Sequence, residues 1–106
     1  IVAVEPKGVS ALHGDGPGIH KIQGIGDGFI PDVLDTDMIT DVVEVADDDA
    51  IQTARMLARK QGLLVGTSSG ANVWAAMQMA EKYGKDKVIA TVMADRAERY
   101  FSVDLL

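Results

Sequence analysis

The stretch LLVGTSSGANVWAAMQMA, residues 63–80, hands an apolar run to a long helical pattern through Gly66-Thr67-Ser68-Ser69-Gly70. Bare hydroxyls at such a handover serve one of two chemistries. A serine on a sharp strand-to-helix turn is a nucleophile. A hydroxyl at a helix N-terminus, where several backbone N–H groups lack partners, caps the helix or holds a ligand. The five residues match the nucleophile pattern G-x-S-x-G, but that fold needs a histidine later in the chain than its serine. The two histidines, His13 and His20, both precede Ser68, so the hydrolase reading lacks its base. A capping serine explains one hydroxyl. It does not explain the second, nor the flanking glycines that let another group approach closely. A hydroxyl at this point could instead face a neutral heteroatom of a ligand.

Working outward, the residues after Gly70 are apolar on nearly every face, which predicts a buried helix ended by Gly84. Upstream, Asp47 stands as a helix N-cap with Asp48 and Asp49 complementing the dipole. Ala50, Ala54, Leu57 and Ala58 then share one face, and Gly62 is placed for a left-handed helix end. Strands are expected at 1–4, 41–45 (DVVEV), 63–65 and 87–93 (KVIATVM), with the first ended by Glu5-Pro6 and a final short helix in DRAERYF. Residues 7–28 are glycine-rich without periodicity, so they form a long loop, anchored by Ile19, Ile22 and Ile25, with a turn at Pro31-Asp32 beyond it. Strands alternating with helices predict an α/β fold with a mainly parallel, twisted sheet flanked by helices.

The chain has 106 residues, room for one small domain, and is 47% hydrophobic. Sixteen acidic and ten basic residues give a net charge of −6, which offers nucleic acid and anionic lipid no basic footprint. The absence of cysteine removes disulfides, thiolate metal sites and a cysteine nucleophile, and fits a reducing, cytoplasmic setting. No apolar run reaches the roughly 18 residues of a membrane span, and the first residues lack the basic region of a signal peptide. The opening IVAVEP reads at once as a buried strand. Domains usually open on something frayed or polar, so the chain reads either as arbitrarily bounded or as the latter part of a longer protein.

HKIQGIGDGFIPDVLD, LLVGTSSGA and AERYFS, in this order in one chain, resemble the C-terminal part of the cysteine synthases. These are the O-acetylserine sulfhydrylase branch of the fold type II pyridoxal-phosphate enzymes. The resemblance runs from VAVEP to ERYFSVDLL, and its three motifs together are specific where GTSSG alone is weak. It implies pyridoxal 5′-phosphate as cofactor, held here by Gly66, Thr67, Ser68 and Asp95, with the Ser68 hydroxyl on the pyridine nitrogen. A serine is too weak an acid to protonate the ring fully, which suits loss of a β-substituent better than transamination. Ser69 is then a cap or a backbone partner. The resemblance also places Gly24, Ile25 and Gly26 at the substrate-binding mouth, beside the alternative that the glycines serve turn geometry alone. Lys21 is not taken as the Schiff-base lysine, which the family carries well upstream, and His13 and His20 read as ordinary loop residues.

Some positions depart from the family pattern. Ala94, Arg96, Ala97 and Phe101 replace the residues usual around Asp95 and Glu98-Arg99-Tyr100, and Asp27 adds a carboxylate where a small residue is common. The substrate is thereby left open between cysteine synthase, a cystathionine β-synthase-like enzyme and a relative using another acyl donor. The Schiff-base lysine, the substrate-carboxylate loop and the phosphate cradle of the family are not among these residues, so no catalytic residue and no metal ligand is assigned. Residues 1–106 are expected to be part of the larger C-terminal domain, with the N-terminal domain absent, and to be inactive alone. The complete protein would make L-cysteine from O-acetylserine and sulfide by β-elimination and β-replacement. It would be a homodimer whose mouth also accepts the C-terminal tail of serine acetyltransferase. A non-catalytic α/β binding fragment is the alternative.

Overall fold

A computed structural model of the protein describes residues 1–100. Strand β1 (Val2–Pro6) pairs in parallel with β2 (Asp41–Val45), with Val4 opposite Val43 and Pro6 opposite Val45. Pro6 thus ends the ladder from inside it, and the next amide, Lys7 N–H, donates to the Val45 carbonyl at 2.9 Å. A parallel pair needs a long crossover. Here it is residues 7–40, which carry only two short 3₁₀ turns, Ala11–His13 and Thr36–Met38.

The crossover is held by polar contacts near β1. The Glu5 carboxylate accepts from the Ser10 hydroxyl and from Leu12 N–H, and Asp15 accepts from Ser10 N–H at 3.0 Å. His13 Nδ1 lies 3.3 Å from the Glu44 carboxylate on β2. Of the three isoleucines expected to anchor the loop, Ile22 is fully buried and Ile25 packs beside it, but Ile19 is wholly exposed. Ile19 lies between Gly18 and His20, in a run that has no neighbouring element to cover it. The turn at Pro31-Asp32 forms, with Leu34 N–H donating to the Pro31 carbonyl at 3.0 Å.

Helix α1 (Asp47–Met56) starts one residue earlier than a capping Asp47 would require. Ala46 is its N-cap and makes no side-chain bond. Asp47 keeps its favourable place at the positive end of the helix, but its carboxylate accepts from Lys21 N–H at 2.9 Å and ties the crossover to α1. Ala50, Thr53 and Ala54 are buried. The helix continues as a π turn, Leu57–Gln61, and closes at Gly62 with φ +68°. Gly62 N–H donates to the Ala58 carbonyl and Leu63 N–H to that of Leu57.

Nothing lies within 4 Å of a Cβ built on Gly62, so only its backbone conformation demands glycine. Gly62→Val is expected to cost about 1 kcal/mol or more, because a β-branched residue is strained at positive φ. Denaturant unfolding checks this, and an unchanged midpoint would refute it.

Helix α2 (Thr67–Tyr83) begins on the hydroxyl residues themselves rather than after Gly70, and Gly84 ends it. It is buried from Thr67 to Ala71 and then along Ala75 and Met79, while Met77 is exposed and Trp74 half-buried, so its cover is one-sided. Ile22, Val45, Ala50, Ala71 and Ala75 form the core, with Val4, Ile25, Val43 and Trp74 against it. Lys82 on α2 bridges to Asp41 on β2 at 2.5 Å. That bond, with Val42 N–H, holds the Asp41 carboxyl below its ordinary pKa.

Two expected strands are not formed. Residues 63–65 contribute only an isolated antiparallel bridge, Val65 with Arg96, and Leu64 is 56% exposed. Residues 87–93 carry no ladder, and Val88 is 94% exposed. An apolar β-branched run becomes a strand only where another strand accepts its main-chain bonds. Among the described residues β1 and β2 bond only each other. Residues 97–100 form a 3₁₀ turn, and Phe101 lies outside the described residues. No helix among the described residues is long and apolar enough to cross a membrane.

Candidate functional site

The site is built around the first turn of α2. Gly66 is the N-cap, at φ −79° and ψ 177°. Thr67, Ser68 and Ser69 therefore occupy the first three helical positions, where backbone N–H groups have no partner within the helix. No side chain caps this end, so Ser69 does not act as a cap. A capping side chain must come from the extended residue before the helix, and here that residue is a glycine. The Thr67 and Ser69 hydroxyls are buried without a hydrogen-bond partner among the described residues. Ser68 is 6% exposed. The first turn contains no acidic residue, so no carboxylate of its own offsets the positive end of the dipole.

Asp95 is brought to the same place by main-chain bonds. Its carbonyl accepts from Gly66 N–H at 3.3 Å, and Ala97 N–H donates to the Leu64 carbonyl at 3.0 Å, on either side of the Val65–Arg96 bridge. Asp95 is thus bonded to Gly66, next in the chain to Thr67 and Ser68.

The segment Gly24–Gly26 reaches this end of the molecule through its neighbours. Ile22 and Ile25 pack in the cluster that contains Ala71, one turn into α2. Gly24 and Gly26 have φ +91° and +72°. Turn geometry alone therefore calls for glycine at both. Gly26 is also crowded: a Cβ there would lie 2.4 Å from Pro6 Cγ and 2.8 Å from His20 Nε2. The His20 ring bridges the segment, with Nδ1 accepting from Ile22 N–H and Nε2 at 3.3 Å from the Gly26 carbonyl. Sequence reasoning missed this ring and the Asp47 anchor. Both act on main-chain groups across the fold, and residue spacing carries no signal for such bonds. Lys21 is exposed and contributes its backbone N–H to Asp47.

The model of a family described as pyridoxal-phosphate dependent enzyme matches residues 1–95. The chain belongs to this family. Within the pyridoxal-phosphate dependent enzymes it is 52% identical over 105 residues to cysteine synthase B of Campylobacter jejuni, covering 99% of this chain and 34% of that protein. It superposes on a cysteine synthase of Entamoeba histolytica with a TM-score of 0.94 at 39% identity, covering 99% of this chain and 31% of the other. An O-acetylserine dependent cystathionine beta-synthase of Helicobacter pylori gives 0.87 at 40%, covering 98% and 34%. The chain spans about a third of the length of the curated relatives it matches. The fold is that of fold type II enzymes, and the family cofactor is pyridoxal phosphate.

The residues present fit that cofactor. Two orphaned buried hydroxyls and unpartnered helix N–H groups at one helix start are hydrogen-bonding capacity that a polar ligand satisfies. The helix end offers hydrogen-bond donors in a positive potential, which disfavours additional positive charge on a bound ring.

Proposed function

We propose that this chain supplies the cofactor-ring end of a pyridoxal-phosphate dependent cysteine synthase, which makes L-cysteine from O-acetylserine and sulfide. The observation that carries the reading is the hydroxyl cluster Thr67-Ser68-Ser69 on a helix start free of first-turn acid, with Asp95 bonded beside it. With the cofactor bound, the Ser68 hydroxyl would donate a hydrogen bond to the ring nitrogen and keep its proton, because both the weak acid and the helix dipole oppose a cationic ring. Gly66 and Thr67 line the same end, and Asp95 holds Gly66 through its carbonyl. Gly24, Ile25 and Gly26 present main chain to the substrate. The bound cofactor supplies the electron sink that lets acetate leave the β-carbon before sulfide adds.

The same reading makes residues 1–106 part of the larger C-terminal domain and assigns the Schiff-base lysine and phosphate cradle to other segments. It includes a cytoplasmic homodimer whose mouth accepts the tail of serine acetyltransferase. A cystathionine β-synthase-like reading is the second, supported by the likeness to the Helicobacter pylori enzyme. Turnover of the full-length protein with sulfide against a larger thiol as acceptor separates the two.

Ser68→Ala in the full-length holoenzyme is expected to slow acetate elimination by about tenfold or more, the scale of one lost hydrogen bond in a reacting complex. The melting temperature of the protein should hold. Damage from Ser69→Ala with Ser68→Ala silent would overturn the assignment.

A further inference from the structure

We propose that His20 is a positioning residue that sets the main-chain conformation of Gly24–Gly26, and so the affinity of the mouth for its amino-acid substrate; the substrate part rests on the cysteine synthase reading. Ile22 N–H is a donor and reaches His20 Nδ1 at 3.1 Å, so Nδ1 must carry a lone pair. The ring proton of the neutral imidazole then sits on Nε2, which faces the Gly26 carbonyl at 3.3 Å and donates to it.

One half-buried side chain thus holds both ends of a five-residue span. The Ile22 end is anchored, since its side chain is fully buried in the core and the preceding amide, Lys21 N–H, is bonded to Asp47 on α1. His20 carries that rigidity across to Gly26. Gly26 has φ +72° and stands against the Pro6 ring, so its peptide has little room for a second arrangement while the imidazole is in place. A loop of glycines without this bridge samples several main-chain directions, and ordering them at each binding event weakens capture of the substrate.

The test uses the full-length holoenzyme with O-acetylserine as the probe. His20→Phe keeps a ring and removes both bonds. It is expected to raise KM for O-acetylserine by about tenfold, the scale of two net hydrogen bonds, with kcat changed less than about threefold. His20→Gln, whose amide reaches the Nε2 position and donates to Gly26, is expected to recover most of the loss. His20→Asn keeps only the acceptor toward Ile22 N–H and should recover less. Two readouts are independent of turnover. Nitrogen NMR of the ring should show the Nε2–H tautomer, and hydrogen exchange at the Ile22 amide should quicken in His20→Phe. A proton on Nδ1 would overturn the proposal whatever the kinetics, and so would an unchanged KM in His20→Phe alongside faster exchange at Ile22. If the unsubstituted enzyme does not turn over O-acetylserine, the cysteine synthase reading fails, while the tautomer and exchange results still decide the role of His20 in the loop.

Discussion

Gly70→Ala is expected to destabilise the protein by about 3 kcal/mol, reversing the usual sign of a glycine-to-alanine change in a helix. Alanine in a helix interior is normally favoured over glycine by up to about 1 kcal/mol. At Gly70 a Cβ would stand 2.1 Å from the Ala50 carbonyl oxygen and 3.0 Å from both Ala54 N and Ala54 Cβ. The closest of these atoms is backbone of α1, which cannot swing aside as a side chain would. Helices α1 and α2 must therefore separate, and their separation opens the core around Ala50, Ala71 and Ala75. The loss would be a large part of the roughly 5–15 kcal/mol that holds a typical domain together. Denaturant unfolding checks the change, with Gly16→Ala as the control. Gly16 has nothing within 4 Å of its built Cβ and no left-handed φ, so its substitution should be near neutral. A Gly70→Ala protein as stable as the unsubstituted one would show that the helices do not meet at this residue.

Gly26→Ala should be the second large effect. Two independent penalties coincide there. The left-handed backbone costs an L-residue about 1–2 kcal/mol, and forced overpacking adds about 1–3 kcal/mol. The new methyl would meet the rigid Pro6 ring at 2.4 and 2.7 Å and the His20 ring at 2.8 Å. Gly24→Ala isolates the first penalty, since Gly24 has φ +91° and open space around its Cβ. The expected order of stability is therefore unsubstituted, then Gly24→Ala, then Gly26→Ala. Equal losses for the two variants, measured by thermal or denaturant unfolding, would remove the close contact between the loop and β1 from the account.

These two glycines also mark how far the sequence alone could be read. Gly62 and Gly84 announced helix ends, because a terminus at positive φ is a local demand that glycine meets. DVVEV announced β2 to the residue, and the acidic run Asp47-Asp48-Asp49 announced α1. Gly70 carried no comparable sign, since its reason is a carbonyl on another helix. Helix α2 starts four residues before the expected point because Thr67, Ser68, Ser69 and Gly70 are individually poor helix formers, and their burial against the fold outweighs that preference. KVIATVM has the composition of a strand but finds no ladder among the described residues, and composition cannot supply one. In the candidate site, the hydroxyl turn and Asp95 were legible as motifs. The His20 bridge was not, because its partners are peptide groups and any sequence offers those.

The zipper between residues 64–66 and 95–97 bears on how such a site tolerates evolutionary drift. Its two hydrogen bonds join carbonyls and amides only. Whatever side chains stand at 94 and 96, the same peptide groups are available, so these positions are free to vary while the helix start that they brace stays fixed. Arg96 is exposed, and the bridge forms with alanine at 94 and arginine at 96. Ala97 is the exception, being buried against Ala54 with Ile51 beside it. Selection should therefore weigh on the volume of residue 97 and leave 94 and 96 to diverge, and sequence divergence there is a poor measure of functional divergence.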